Sequence, residues 1–178
     1  MDKTRTIYRL RKNKNNILIN VIVLLFGILL LSLLQIFELN FLNLFRDKNL
    51  ALLNNDYNFG INKALWLSEI SYKILEKSAI LSIVFSLEGF IMLFFIIRLN
   101  GRSKGILSNS PFILGLGTLI VFTYYFLMGV LSPGKGNLNE ISQNFFILRV
   151  LGFILILIAN IMFVIKMFID IILERDKE

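Results

Sequence analysis

The sequence of 178 residues contains no histidine and no cysteine. The chain therefore lacks imidazole and thiolate ligands for zinc, haem or iron–sulfur clusters, and it lacks the Ser-His and Cys-His pairs of many hydrolases. Charged residues are also scarce at 17%, whereas a soluble domain of this size has about a quarter. We expect no cofactor, no metal site and no disulfide, and the composition argues against a water-soluble domain.

Hydrophobic residues make up 56% of the chain and are concentrated in four runs. The runs cover residues 17–37, 79–97, 112–131 and 145–165, and each can cross an apolar core of ~30 Å as a helix. The sequence predicts an all-α, four-transmembrane-helix protein of the cell membrane. Its single membrane domain, 17–173, lies between a basic N-terminus, 1–16, and a charged tail, 174–178. The first run exceeds a signal-peptide core and lacks a small-residue cleavage site, so we expect a retained anchor.

Lysine and arginine predict the orientation, because short loops rich in these residues stay in the cytoplasm. Three basic residues, Arg98, Arg102 and Lys104, lie between the second and third runs, whereas only Lys135 lies between the third and fourth. Both termini are therefore predicted to be cytoplasmic. The N-terminal cations are also predicted to contact anionic lipid headgroups of the inner leaflet. They are Lys3, Arg5, Arg9, Arg11, Lys12 and Lys14.

The outer segment, 38–78, divides into two parts. Residues 39–60 are rich in asparagine and are predicted to be irregular. From Ile61 the apolar residues recur at helical spacing, which predicts an amphipathic helix that joins the second span. Trp66 suits a position at the headgroup level of this helix.

Turn residues predict where the later spans begin and end. Ser110 and Pro111 are typical of a helix N-cap and first turn, and Ser132, Pro133 and Gly134 are predicted to end the third helix. The fourth apolar run ends near Lys166, but its helical pattern continues to about residue 173.

Glu88 is the most informative single residue, because it lies near the middle of the second span. An ionised carboxylate is costly in lipid, so the side chain should face protein or water, or carry a proton. It is either an ion- or proton-binding group of a carrier or a neutral carboxyl that fixes helix packing or contacts a partner subunit. One carboxyl does not distinguish these two hypotheses.

Four polar residues are candidate neighbours of Glu88. Tyr124 and Tyr125 lie slightly beyond the midpoint of the third span, and their hydroxyls are predicted to reach the depth of Glu88. Arg149 is close to the outer end of the fourth span, and we expect it to extend to the headgroups, with a pair to Glu88 as the alternative. Asn160 is predicted to form hydrogen bonds between helices.

Small residues within the spans predict where helices approach closely. Ordinary packing within one bundle accounts for them, although a contact with a second polypeptide is the alternative. The predicted packing residues are Ser82, Ser86, Gly89, Gly115, Thr118, Gly152 and Ala159.

The absence of converging catalytic groups favours a role without catalysis. The sequence predicts a non-catalytic subunit or scaffold of a membrane assembly, with a membrane-protein partner or a second copy of itself. The alternative is a small transporter or channel subunit that uses Glu88. The basic N-terminus precedes an apolar span directly, so lipid is a better partner for it than nucleic acid.

Overall fold

The computed structural model describes residues 12–52, 59–98, 106–135 and 138–175, and their side chains over 12–36, 71–98, 106–131 and 139–172. All elements in these ranges are helical, which confirms the all-α prediction. We number them α1, Lys14–Leu52; α2, Phe59–Arg98; α3, Ser110–Lys135; α4, Leu138–Asn144; and α5, Phe146–Arg175. A 3-10 turn, Ile106–Asn109, precedes α3.

Four of these helical segments are long and apolar enough to cross a membrane, as predicted. They are Lys14–Ile36, Ser71–Arg98, Ile106–Leu131 and Phe146–Ile172. A helix satisfies its own backbone hydrogen bonds, which is a requirement for any single segment that crosses hydrocarbon. The chain is therefore compatible with a multi-pass membrane protein.

The connection between the first two spans differs from the prediction. α1 continues to Leu52, so the expected irregular stretch is wrong from residue 39 to residue 52. Extending an existing helix requires no new nucleation, and isolated asparagines among leucines lower its stability by only ~0.7 kcal/mol each at most. Residues 53–58 lie outside the described part. α2 begins at Phe59 and runs unbroken into the second span, as predicted.

Both ends of α3 also depart from the sequence signals. The helix begins at Ser110, but the buried Ser110 hydroxyl has no hydrogen-bond partner among the described residues and does not cap it. The helix passes through Pro133 and ends at Lys135. A proline in the last turn interrupts only the end of the hydrogen-bond ladder, so it need not stop the helix at once. The link to α5, predicted as a turn, contains the short helix α4.

α3 is the central helix of the bundle and packs against α1, α2 and α5, while α1 also packs against α2. In the most apolar 18 residues of its span 44% are buried, against 17% in the corresponding stretch of α5. Because connected spans alternate in direction, the first residues of α2 and α5 share one end of the bundle with α4. We call this the α4 end, and the opposite end, which contains Ile106–Asn109, the 3-10 end.

Two buried clusters hold the helices together. The central cluster joins α2, α3 and α5 through Met92, Leu114, Val121, Ile156 and Ala159. The second lies at the α4 end and consists of Tyr124, Met128 and Ile141. Polar side chains between and beside these clusters are the candidates for function.

Candidate functional site

Glu88 lies at the edge between two faces of α2. Phe85 and Met92, three residues before it and four after it, belong to or contact the central cluster with α5. On its other side, Leu87 and Ile91 are more than half exposed. The side chain of Glu88 is half-buried and has no hydrogen bond or ion pair within the described ranges. It therefore lies where the packed face of α2 meets its exposed face.

The register of α2 and α5 gives the depth of the other intramembrane polar residues relative to Glu88. The two helices run in the same direction, and the rings of Phe95 and Phe163 are 6.3 Å apart. Glu88 and Ile156 lie the same number of residues before Phe95 and Phe163 in their helices, so they are at the same depth in the bundle. Asn160 is then about 6 Å toward the 3-10 end, and Arg149 about 10 Å toward the α4 end. The three residues therefore lie at three different depths, and no hydrogen bond or ion pair joins Glu88 to Arg149 or Asn160 in the described residues.

Asn160 forms its hydrogen bond within its own helix, whereas the sequence analysis expected a bond to a neighbour. Its Nδ2 donates to the carbonyl oxygen of Ile156 at 3.1 Å. A backbone acceptor one turn away satisfies the amide without any partner helix. Asn160 therefore depends on no second polypeptide for this bond.

Tyr124 and Tyr125 form an edge-to-face pair with ring centroids 4.9 Å apart. The Tyr124 hydroxyl forms a hydrogen bond with Ser142 Oγ at 3.1 Å, and the Lys77 ammonium lies 5.2 Å from the Tyr125 ring centroid. No hydrogen bond joins either tyrosine to Glu88 in the part of the chain described. The hydroxyl turns toward the α4 end because the half-buried Ser142 hydroxyl of α4 is a hydrogen-bonding partner there. No signal in the sequence predicts this helix.

Arg149 is half-buried at the start of α5 and contacts two aromatic rings. Its Cζ lies 5.9 Å from the centroid of Tyr124 and 5.4 Å from that of Phe146. Such contacts are favourable by about 0.5–2 kcal/mol, depending on desolvation. Together, Lys77 and Arg149 place two cations beside the tyrosine pair. Neither forms an ion pair within the described residues.

Asn20 forms a polar contact among three helices that the sequence analysis missed. It is fully buried, and its Nδ2 donates to the carbonyl oxygens of Asn16 at 2.8 Å and Pro111 at 3.0 Å. Its Oδ1 has no hydrogen-bond partner among the described residues and lies against the backbone of Gly89. A side chain on Gly89 would fill this space, so the contact leaves no room for a ligand.

The small residues occupy contacts between helices. A Cβ on Gly27 would lie 3.0 Å from the Ala79 carbonyl oxygen, and one on Gly152 would lie 2.6 Å from Val121 Cγ2. The Ser78 hydroxyl donates to the Phe122 carbonyl oxygen across α2 and α3 at 3.1 Å. All seven predicted packing residues are buried, namely Ser82, Ser86, Gly89, Gly115, Thr118, Gly152 and Ala159.

Lys166 and Asp170 form a buried ion pair at the 3-10 end. Their exposed fractions are 3% and 2%, and Lys166 Nζ donates to Asp170 Oδ2 at 2.9 Å. The i,i+4 spacing brings the two charges together on one face of α5. The 3-10 turn packs against α5 at this end. Buried charges are favourable only when they are paired, so this ion pair serves the structure.

The predicted headgroup contacts lie mostly beyond what the structure describes. Lys12 and Lys14 are exposed at the 3-10 end. The side chains of Lys3, Arg5, Arg9, Arg11 and Trp66 lie outside the described residues. In the part that is described, no three acidic side chains converge on a metal site.

Similarity to known proteins assigns no function to this chain. Comparison with protein-family models, with curated proteins and with solved structures gives no match. The function of the protein is therefore inferred from the positions of Glu88, the tyrosine pair and Arg149.

Proposed function

We propose that the chain is a non-catalytic subunit or scaffold of an assembly in the cell membrane, and that Glu88 contacts a second membrane-spanning polypeptide. One observation carries the proposal. Glu88 is half-buried beside the exposed residues Leu87 and Ile91, and the described part of the chain supplies no hydrogen-bond partner for it. A donor on another polypeptide could approach this edge of α2.

Energetics favour such a contact. A carboxyl at the centre of a span costs roughly 2.5–3.5 kcal/mol on insertion scales, and interhelical hydrogen bonds in membranes contribute about 0.6–2 kcal/mol. A partner that donates to Glu88 would therefore offset part of this cost. Phe85 and Met92 offer only apolar surface on the side toward α5.

The orientation of the protein is part of the proposal, with both termini in the cytoplasm. Single cysteines at positions 55, 103 and 135 of this cysteine-free chain can be tested with an impermeant maleimide on intact cells. We expect labelling of Asn55→Cys and Lys135→Cys but not of Ser103→Cys, because basic residues concentrate in the inner segments. Labelling at position 103 without labelling at position 55 would show the inverted topology.

Substitution of Glu88 distinguishes the scaffold from a transporter. Glu88→Gln keeps a hydrogen-bonding group of similar shape, so association with the partner should survive. Glu88→Leu should weaken association by ~0.6–2 kcal/mol, the range for membrane hydrogen bonds. Recovery of co-purifying membrane proteins in mild detergent, quantified for each variant, measures this difference.

Asn160→Leu is the matched control for Glu88→Leu. It also removes an intramembrane polar group, but one that already bonds to its own helix. The control should leave recovery of the partner unchanged.

A transporter or channel subunit, the alternative function, should give a different result. The isolated protein in proteoliposomes should then show pH-dependent ion flux, and Glu88→Gln should abolish it. Such a flux would refute the scaffold proposal.

A further inference from the structure

Arg149 lies at one end of a shallow, open apolar groove on the exposed side of α5. The groove has a volume of about 360 Å³ and is lined by Arg149, Val150, Phe153, Ile154 and Leu157. Eight residues separate Arg149 from Leu157, so the groove extends about 12 Å from the α4 end toward the middle of the bundle. The groove therefore has one cation, Arg149, at its end nearest α4 and a continuous apolar surface along the rest of its length.

The depth of Arg149 fits the boundary between hydrocarbon and headgroups. The candidate span of α5 begins at Phe146, only three residues earlier. A long arginine side chain at this position reaches the headgroups while its stem remains in apolar surroundings. The Tyr124 and Phe146 rings lie beside the guanidinium, and its five donors suit a phosphate.

The positive charge of Arg149 indicates which class of molecule can occupy the groove. Lys77 lies at the same end of the bundle, and neither cation has an ion-pair partner within the described residues. Because Glu76 and Glu140 also lie at this end, the attraction for an anion depends on the Arg149 guanidinium itself. The apolar lining continues from Arg149 toward the bilayer centre, as an acyl chain does below its phosphate. A free anion would use the guanidinium but leave this lining unoccupied.

We propose that this groove binds one anionic phospholipid, with the phosphate on Arg149 and an acyl chain along Phe153, Ile154 and Leu157. This site is separate from the proposed contact at Glu88 and does not depend on it. It also differs from headgroup contacts of the N-terminal cations, which precede α1 or, for Lys14, begin it.

Photocrosslinking can test the site in the full-length protein. The probe is phosphatidylglycerol with a photoactivatable acyl chain, incorporated into phosphatidylcholine vesicles that contain the protein. Peptide mass spectrometry should locate crosslinks within residues 149–157. Arg149→Gln should reduce them about tenfold, because a charge-assisted hydrogen bond to phosphate is lost. Lys77→Gln removes a charge at the same end outside the groove and should reduce them less than twofold.

A second pair of variants tests the groove without changing charge. Ile154→Trp should fill the groove and reduce the crosslinks at least fivefold, whereas Ile158→Trp alters an exposed α5 residue outside the lining and should not. Equal crosslinking of Arg149→Gln and the unsubstituted protein would overturn the proposal. Equal competition by soluble glycerol phosphate, or by unlabelled phosphatidylcholine, would do the same. A protein crosslinked at Arg149 in place of lipid would also overturn it.

Discussion

Gly89→Ala should lower the free energy of unfolding by roughly 2–4 kcal/mol, because the new methyl group has no space. An ideal Cβ at position 89 would overlap Asn20 Oδ1 and lie 2.7 Å from Asn20 Cγ. The Asn20 side chain cannot turn away without loss of the bonds from Nδ2 to Asn16 and Pro111. Unfolding by SDS in mixed micelles, followed by circular dichroism, measures the change.

Asn20→Ala tests the cause of this effect. Alone it removes two hydrogen bonds, but in combination with Gly89→Ala it also removes the clash. The double variant should therefore be more stable than the sum of the single changes predicts, by at least 1 kcal/mol. Ser86→Ala is the control on the same face of α2, because the buried Ser86 hydroxyl has no partner in the described structure. It should be neutral or slightly stabilising. If Gly89→Ala has the same free energy of unfolding as the unsubstituted protein, the Asn20 side chain does not restrict the space at position 89.

The buried stripe of α1 was available in the sequence but was overlooked. Asn16, Asn20, Val23 and Gly27 recur at spacings of four, three and four residues, and all are buried. These spacings match the period of ~3.6 residues of an α-helix and indicate one packed face. Because polar residues within the spans of a bundle usually face protein, Asn20 could have been placed in an interface from this pattern.

The sequence predicts the depth of Glu88 but not its neighbours. Its depth follows from counting residues along α2, and the span follows from hydropathy, because both are local properties. The choice of partner for Tyr124 depends on α4, a seven-residue helix with no strong signal in the link between two spans. Likewise, the extension of α1 to Leu52 depends on continuation of an existing helix, which turn propensities alone underestimate. Such outcomes are set by tertiary context.

Gly117→Ala is expected to separate α3 from α5. A Cβ at position 117 would lie 2.9 Å from the Gly152 carbonyl oxygen and 3.0 Å from the Ile156 nitrogen. These are backbone atoms of α5, and they cannot move without moving the helix. Since α5 packs chiefly on α3, we expect a loss of about 3 kcal/mol, the upper part of the usual range for overpacking. The SDS midpoint of the purified protein should fall accordingly.

Gly115→Ala provides the matched comparison for Gly117→Ala, two residues earlier in the same helix. Its Cβ would lie 2.9 and 3.2 Å from the side-chain carbons Cγ2 and Cγ1 of Ile19, and at an ordinary contact distance of 3.6 Å from Asn20 Nδ2. Side-chain carbons can shift by a few tenths of an ångström without moving α1, so the loss should be about 1 kcal/mol. The difference between the two variants isolates the backbone contact from the general effect of a methyl group on α3. If both variants unfold at the same SDS fraction, the close approach of α3 and α5 does not limit stability.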